Sequence, residues 1–573
     1  MRAAVLNPRK MGETMSDQGS TAAQGPGLRT VVAASAAGTA FEWYDFFIFG
    51  SLATVIAKHF YSGVSEATGF ILALATFAVG FFVRPLGALV FGVFGDMKGR
   101  KVAFLITITM MGLATVAIGL LPGYDTIGMA APILLIVLRV LQGFALGGEY
   151  GGAAIYVAEH SPPDRRGYLT SWIQTSAALG LIGALLVILA CRTVLGNDAF
   201  DAWGWRIPFV LSIVLLLISL WIRMKLGESP AFQRMEMEGA AHDRAPFRET
   251  FLRWKNLRYV LLVLFGVMIA QGAVWYAAFF YSQFFMQRIL KLDDGVVLTL
   301  MVAATTVSAF LYVFFGWLSD KIGRKPVMLF GMILAVISFV PSFGTSAFHF
   351  MTKAANPMLA AAQVAAPVVV TADPADCALQ FDPVGKATFA SSCDIAKSYL
   401  TNAGVSYENR AGPAGSTASV SIGRQVVASR DGRGLPPAEL KAVRASVETE
   451  LAQALRSNGY PEKADPARVD MWALFAIMMV FVVAATALYG PQAAALVELF
   501  PTRVRYTGMG VPYNIGTGWV GGFLPAAAFA MMAASGNIYF GLWYPVAFTV
   551  AAIVVAFLFL PETKGRDLDK VET

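Results

Sequence analysis

The sequence predicts an all-α membrane protein: twelve transmembrane helices in two pseudo-symmetric six-helix lobes, with a small extracytoplasmic α/β insertion between helices 9 and 10. Three observations predict it. Only 14% of the 573 residues are charged and 57% are hydrophobic, whereas a soluble domain carries about 25% charged residues. Twelve apolar runs approach the roughly 20 residues that a bilayer requires. Charged motifs at the run ends recur at matching places in the two halves. This composition excludes a soluble enzyme, a disordered scaffold and, despite the formal charge of +7, a nucleic-acid binder. In a membrane protein a modest cationic surplus reflects Lys and Arg held in cytoplasmic loops.

Residues 1–28, rich in Gly, Ser, Gln and Pro, read as a disordered cytoplasmic tail. The N-terminal lobe, 29–224, holds runs centred near Phe46, Ala78, Thr109, Leu141, Ala178 and Leu215. Its first run contains Glu42 and Asp45 and is too long and acidic for a cleavable signal. A basic stretch, 225–257, bridges the lobes. The C-terminal lobe takes 258–344 and 469–560, with runs centred near Ala273, Val307, Ala335, Val482, Trp519 and Ala551, and 561–573 is a second cytoplasmic tail. Lys98, Lys101, Arg165, Lys321, Lys325 and Arg503 occupy loops of one parity, so the positive-inside rule puts both termini in the cytoplasm. The segment 345–468 is polar and falls on the opposite side. A strand is expected over Thr417–Val427 and an amphipathic helix over Pro436–Asn458. Cys377 and Cys393 lie in this segment, where an oxidising compartment lets them pair. Closing so short a loop stabilises by about 3 kcal/mol in the chain-entropy model; two unpaired thiols are the alternative. Cys191 is a small apolar residue inside the fifth run.

The repeat is specific. Gly92, Asp96, Gly99, Arg100 and Lys101 follow helix 2; Gly316, Asp320, Gly323, Arg324 and Lys325 follow helix 8. Glu159, Pro162 and Arg166 follow helix 4, and Glu498, Pro501 and Arg505 follow helix 10. The second pair is spaced more widely than the first by about the length of the polar insertion. Glu228-Ser229-Pro230 and Pro561-Glu562-Thr563 complete the set. Parallel repeats of this kind mark two-lobed secondary transporters with a midplane site. Together with Phe41-Glu42-Trp43-Tyr44-Asp45-Phe46, Arg84-Pro85-Leu86-Gly87 and the run from Arg139 through Gln142 to Glu149-Tyr150, the chain resembles the major facilitator superfamily. More narrowly it is similar to the metabolite:proton symporters, relatives of the sugar porters. The resemblance covers everything but the tail and the insertion.

Five ionisable residues fall deep in the first lobe: Glu42, Asp45, Arg84, Arg139 and Glu149. Each charge costs at least about 2.5 kcal/mol at the bilayer centre, so each is expected to face a cavity or a partner. Glu42 and Asp45, three apart, share a helix face. A carboxylate's proton affinity depends on its neighbours, and the resemblance implies a helix 1 acid opposite a helix 4 arginine. Asp45 with Arg139, and Glu42 beside them, are therefore the proton-coupling candidates; a permanent structural ion pair is the alternative. Arg84 offers a planar fork for a carboxylate, unless it only neutralises Glu42 or Asp45. Tyr44, Gln142, Gln174, Gln271, Trp275, Tyr276, Tyr513 and Asn514 supply the uncharged polar and aromatic groups of a substrate site. Asp96, Arg100, Lys101, Glu149, Glu159, Arg166, Asp320, Arg324, Glu498 and Arg505 form a gating set, which the resemblance implies stabilises the outward-open state by bridging the lobes.

The expected function is proton-coupled symport of a small organic acid or zwitterionic metabolite across a bacterial inner membrane by alternating access, by a multi-pass monomer. A uniporter or antiporter of the same fold, or a non-transporting sensor using the insertion, are the rivals. No enzyme chemistry, cofactor, metal or nucleic-acid partner is expected. His59, His160, His242 and His349 lack ligand spacing, and no phosphate-binding loop argues for an ATP-driven pump.

Overall fold

The computed structural model describes residues 28–62, 66–224, 228, 233, 237, 246–341, 346–378 and 389–568. The expected N-terminal tail up to residue 27, most of the 225–257 linker and the end of the C-terminal tail lie outside them.

Long apolar runs become helices because a lipid-facing backbone must bond to itself. The first half comprises α1 (Leu28–Ser51), α2 (Glu66–Lys98), α3 (Arg100–Leu120), α4 (Ala130–His160), α5 (Arg166–Leu195) and α6 (Arg206–Met224). The second begins with α7 (Trp254–Ile289), α8 (Asp294–Ile322) and α9 (Arg324–Phe339). After the insertion it resumes with a helical run Met471–Leu499, then Arg505–Met532 and Phe540–Phe559. Ten helices among the described residues are long and apolar enough to cross a membrane. The two expected spans outside that set have physical reasons: α1 carries Glu42 and Asp45, and α9 has only 16 residues, about 24 Å at 1.5 Å each. The paired turns after α2 and α8 are built alike. Gly99 and Gly323 take φ +107° and +109°, a region costly for any residue with a Cβ.

The halves meet where α5 packs on α8 and α2 packs on Arg505–Met532. At the first crossing a Cβ on Gly316 would stand 2.6 Å from the Gly167 carbonyl oxygen and 2.5 Å from Ser171 Cβ. Such overpacking typically costs 1–3 kcal/mol. Gly316→Ala is therefore expected to lower the melting temperature of the detergent-purified protein by several degrees; an unchanged melt would show that the crossing is looser than described.

The insertion adds α10 (Ala347–Ala355), α11 (Pro357–Ala365), α12 (Ser392–Asn402) and α13 (Pro437–Ser457) around a four-stranded sheet. Its strands are β1 (Val368–Ala372), β2 (Tyr407–Ala411), β3 (Ser419–Ile422) and β4 (Gln425–Ala428), in the order β2-β1-β3-β4. β1 runs parallel to β2, Val370 opposite Asn409, and antiparallel to β3, Val370 opposite Val420. The single strand expected over Thr417–Val427 is a hairpin, because Gly423 turns the chain between β3 and β4. Alternating burial in β1 and β3 follows the strand period of two.

The insertion is fastened to the second half. Tyr407 N donates to Gly536 O at 2.6 Å, and Asn409 Nδ2 to Ser535 O at 2.9 Å, closing the end of Arg505–Met532 and its following turn. Lys291, in the turn after α7, donates from Nζ to Asn402 O at 2.5 Å and accepts at its carbonyl from Ala464 N at 3.1 Å. The remaining membrane helices continue the numbering as α14 (Met471–Leu499), α15 (Arg505–Met532) and α16 (Phe540–Phe559).

Candidate functional site

All five deep charges of the first half are buried, none more than 6% exposed. Four of them divide into two groups. Towards the end of α6, Arg223 donates from Nη2 to Glu42 Oε1 at 3.1 Å and holds Glu149 with Nη1 3.6 Å from Oε1. Its guanidinium lies 3.4 Å over the Phe104 ring. This triad ties α1, α4 and α6 together, and sequence reasoning missed Arg223, which the basic linker sequence disguises as a topogenic charge. Glu42 is therefore engaged with Arg223 rather than with Arg139, and Glu149 joins the same triad inside the first half.

Asp45 faces elsewhere. Ser212 Oγ of α6 donates to its Oδ1 at 2.5 Å, and the Thr115 hydroxyl of α3, which donates to Met111 O at 2.9 Å, lies beside it. Gln142 Nε2 donates to Thr115 Oγ1 at 2.7 Å, while Gln142 Oε1 accepts from Arg139 Nη1 at 2.8 Å. The expected direct pairing of Asp45 with Arg139 is thus replaced by a relay, Asp45–Thr115–Gln142–Arg139, with Arg139 resting 4.1 Å over Phe49. Ser212 and Thr115 carried no signal in the sequence, since small hydroxyls are common in membrane helices.

Arg84 shares the Phe46 ring with Arg139, whose guanidinium carbon lies 5.6 Å from the ring centre. The Arg84 guanidinium carbon lies 4.4 Å and 4.8 Å from the ring centres of Phe81 and Phe46. Nε and Nη2 are buried and have no hydrogen-bond partner among the described residues. Across the interface, Tyr276, Tyr489 and Tyr513 of the second half lie near enough to act on its charge. Tyr489 and Tyr513 share a hydroxyl hydrogen bond of 2.9 Å, and Trp275 Nε1 donates to Tyr312 OH at 2.9 Å. Tyr276 packs edge-on against Phe81 at 5.9 Å. α7 widens into a π-helical turn, Ala277–Tyr281, directly after Tyr276, a distortion that recurs at functional sites. Arg84 thus meets an aromatic wall formed by Trp275, Tyr276, Tyr312, Tyr489 and Tyr513; Tyr312 and Tyr489 were not singled out from sequence.

The other candidates distribute unevenly. Tyr44 OH donates to Pro208 O at 2.9 Å and is spent inside the first lobe. Asn514 Nδ2 donates to Gly147 O at 2.9 Å, bridging the halves rather than facing a ligand. Gln271 is 2% exposed, with Oε1 unsatisfied among the described residues, and Gln174 is buried on α5.

At the ends bearing the repeated motifs, the halves are clasped by a nearly two-fold set of bonds. Asp96 accepts from the backbone of Tyr506 and Thr507 at 3.2 and 2.9 Å, at the start of α15. Asp320 accepts from Gly167 and Tyr168 at 2.9 and 2.7 Å, at the start of α5. Each carboxylate meets the positive end of a helix from the opposite half. Arg505 pairs with Glu159 at 2.6 Å and Arg166 with Glu498 at 2.9 Å. Arg324 adds bonds to Asp320 at 2.6 Å and Glu498 at 3.2 Å. Among the described residues Lys101 donates from its backbone to Glu228 at 3.1 Å and from Nζ to Met224 O at 3.1 Å, and does not reach the second half. The Arg100 side chain lies outside the described residues.

The chain matches the family model for sugar (and other) transporters at residues 30–245 and 459–573, and a second, for MFS/sugar transport proteins, at 152–372. The glycine betaine/proline/ectoine/pipecolic acid transporter OusA of Dickeya dadantii is 38% identical over 325 residues, 55% of this chain and 64% of that protein. The proline/betaine transporter of Escherichia coli K12 is 36% identical with the same coverage. This chain thus spans less than two thirds of both. The shikimate transporter of Escherichia coli K12 is 36% identical over 317 residues, 72% of its length. The solved proton:xylose symporter XylE, bound to 6-bromo-6-deoxy-D-glucose, superposes with a TM-score of 0.60 at 16% identity, over 95% of this chain and 98% of that one.

Proposed function

This chain belongs to the sugar (and other) transporter family of the major facilitator superfamily, and from that premise we propose that it is a proton-coupled symporter of a small organic acid or zwitterionic metabolite. Arg84 carries the proposal: a buried guanidinium with two unbonded nitrogens, facing an aromatic wall on the other half. A guanidinium fork pairs with a carboxylate through two parallel bonds. Aromatic faces opposite it accommodate an apolar body or attract a quaternary ammonium. A molecule with a carboxylate at one end and a ring or methylated nitrogen at the other satisfies both walls. The relatives' names, which include proline, betaine and shikimate transporters, fit that description.

Asp45 is the proton carrier in this reading. Unprotonated, it accepts from Ser212, and the relay through Thr115 and Gln142 keeps Arg139 turned to it. Protonation cancels the charge at the head of the relay and gives the carboxyl a hydrogen to donate. Thr115 and Gln142 then reorient, and Arg139 loses its reason to stay. Because the relay crosses α1, α3 and α4, a proton on Asp45 changes how those helices fit, which couples the proton to the swing between outward- and inward-facing states. The clasp of Asp96, Asp320, Glu159, Glu498 and their arginines holds the cytoplasmic side shut in the outward-facing state. The insertion sits outside the membrane, and both termini sit in the cytoplasm.

The test is uptake of labelled proline, betaine and shikimate into proteoliposomes under an imposed pH gradient. The proposal expects accumulation above equilibrium for one such molecule. Asp45→Asn is expected to keep substrate exchange between the two sides while losing at least 10-fold of the gradient-driven accumulation. If Asp45→Asn accumulates like the parent, the coupling assigned to Asp45 is wrong. If the parent never exceeds equilibrium, the protein is a uniporter.

A further inference from the structure

The insertion has a chemistry that transport does not use. Its order β1-α12-β2-β3-β4-α13, with β1 and β2 parallel and joined by α12, is a βαβ unit extended by a hairpin and a helix. A disulfide joins Cys377, just after β1, to Cys393 in the first turn of the crossover helix, with Cα atoms 5.2 Å apart. A cysteine opening the helix of a βαβ unit is the placement used by thiol–disulfide oxidoreductases. Here the two cysteines are separated by 16 residues in place of the usual three.

The two sulfurs are not equivalent. Cys393 is wholly buried, whereas Cys377 is partly exposed on the loop. Exchange runs fastest when the attacked sulfur is accessible and the leaving thiolate is stabilised, and a helix N-terminus stabilises a thiolate. The surrounding chain is also held without the disulfide. Ser391 Oγ donates to Asp376 O at 2.6 Å, Ala378 N to Asp394 Oδ1 at 2.9 Å, and Ser429 Oγ to Ser392 O at 2.7 Å. Arg433 clamps Asp376 to Asp431 beside the loop. These bonds fix the chain on both sides of the pair independently of the disulfide.

We propose that Cys377–Cys393 is a thiol–disulfide exchange site of the insertion, entered at Cys377 by an external dithiol. One thiolate of the dithiol attacks Cys377 Sγ; the bond to Cys393 breaks and its electron pair leaves on Cys393 as thiolate. The second thiolate of the dithiol attacks the mixed disulfide, closes the dithiol into its own disulfide and frees Cys377 as thiolate. Two electrons and two protons pass in total, so the dithiol is oxidised and the pair becomes two thiols.

The experiment uses full-length Cys191→Ala protein in detergent, so that only the pair reports. Millimolar dithiothreitol is expected to expose both thiols to a maleimide label at least 10-fold faster than the native protein unfolds, as followed by circular dichroism. Glutathione is expected to form an adduct on Cys377 and not on Cys393, read by peptide mass. The single-cysteine variants are treated with oxidised glutathione, whose own disulfide is exchanged with release of one reduced glutathione: Cys393→Ser should take the adduct on Cys377, and Cys377→Ser should react at least 10-fold more slowly; the adduct that reduced glutathione leaves on the intact pair decides the matter if either variant misfolds. Thiols that appear only as the fold is lost would make the bond a structural staple and overturn the proposal. An adduct on Cys393 would overturn the assigned direction of attack.

Discussion

Arg84→Lys is expected to lower kcat/KM for uptake about 100-fold, equivalent to roughly 2.7 kcal/mol, with most of the change in KM. Lysine keeps the positive charge but presents a point donor where the guanidinium presents a planar fork. The fork matters because Nε and Nη2 have no other hydrogen-bond partner among the described residues. The aromatic support is also specific: Phe81 and Phe46 lie against the guanidinium faces at 4.4 and 4.8 Å, and a flat cation stacks on rings better than a tetrahedral one. Arg84→Ala is expected to abolish measurable uptake. Initial rates in proteoliposomes across substrate concentrations give the KM and kcat split. Wild-type uptake by Arg84→Lys, at unchanged KM, would remove Arg84 from the substrate site. Arg84 shares the Phe46 ring with the like charge of Arg139, so its loss removes a repulsion and should leave the melting temperature within a few degrees.

The second large effect concerns the clasp. Glu498 is fully buried and receives Arg166 Nη1 at 2.9 Å, Arg324 Nη2 at 3.2 Å and Thr563 Oγ1 at 2.7 Å. Removing one partner of a buried pair typically costs 3–5 kcal/mol, because the remaining charge is left uncompensated. Arg324 keeps Asp320 at 2.6 Å, but Arg166 loses its only ion pair among those described. If the clasp gates as proposed, Glu498→Ala is expected to shift the population away from the state in which this end is closed by more than 100-fold. A cysteine introduced at Thr170, a fully buried position on α5 one turn past Arg166, reports it. In a Cys191→Ala background its maleimide labelling should accelerate by at least 10-fold when Glu498 is removed. Labelling at the parent rate would mean that the backbone bonds of Asp96 and Asp320 hold the gate unaided.

The parts of the molecule that could be read from sequence are those whose physics is local. A bilayer-length apolar run, a glycine needing positive φ at Gly99 or Gly323, and an acid that meets a helix start all leave a mark within a few residues. Hence the matched motifs of Asp96 with Asp320, and Glu159 with Glu498, were visible as pairs before any contact was known. The relay was not, since its intermediates come from three helices and two of them, Thr115 and Ser212, are ordinary residues in apolar sequence. Arg223 sits at the last turn of an apolar run beside a basic linker, where charge is expected for topology; only packing reveals that it neutralises Glu42 and Glu149. Tyr44 misled in the opposite way. An aromatic within the Phe41–Phe46 motif reads as a ligand contact, yet its hydroxyl is taken by the Pro208 carbonyl. The strand expected over Thr417–Val427 failed at Gly423, a two-way signal that also fits a bulge.

The attachment of the insertion, through Tyr407, Asn409 and Asn402 to the ends of α7 and α15, has a practical corollary. Two-lobed transporters are hard to orient in electron micrographs, because their halves look alike and little protrudes from the detergent belt. In this chain the four-stranded sheet and its helices add mass to the second half alone, a built-in landmark that distinguishes the two halves without an added antibody fragment.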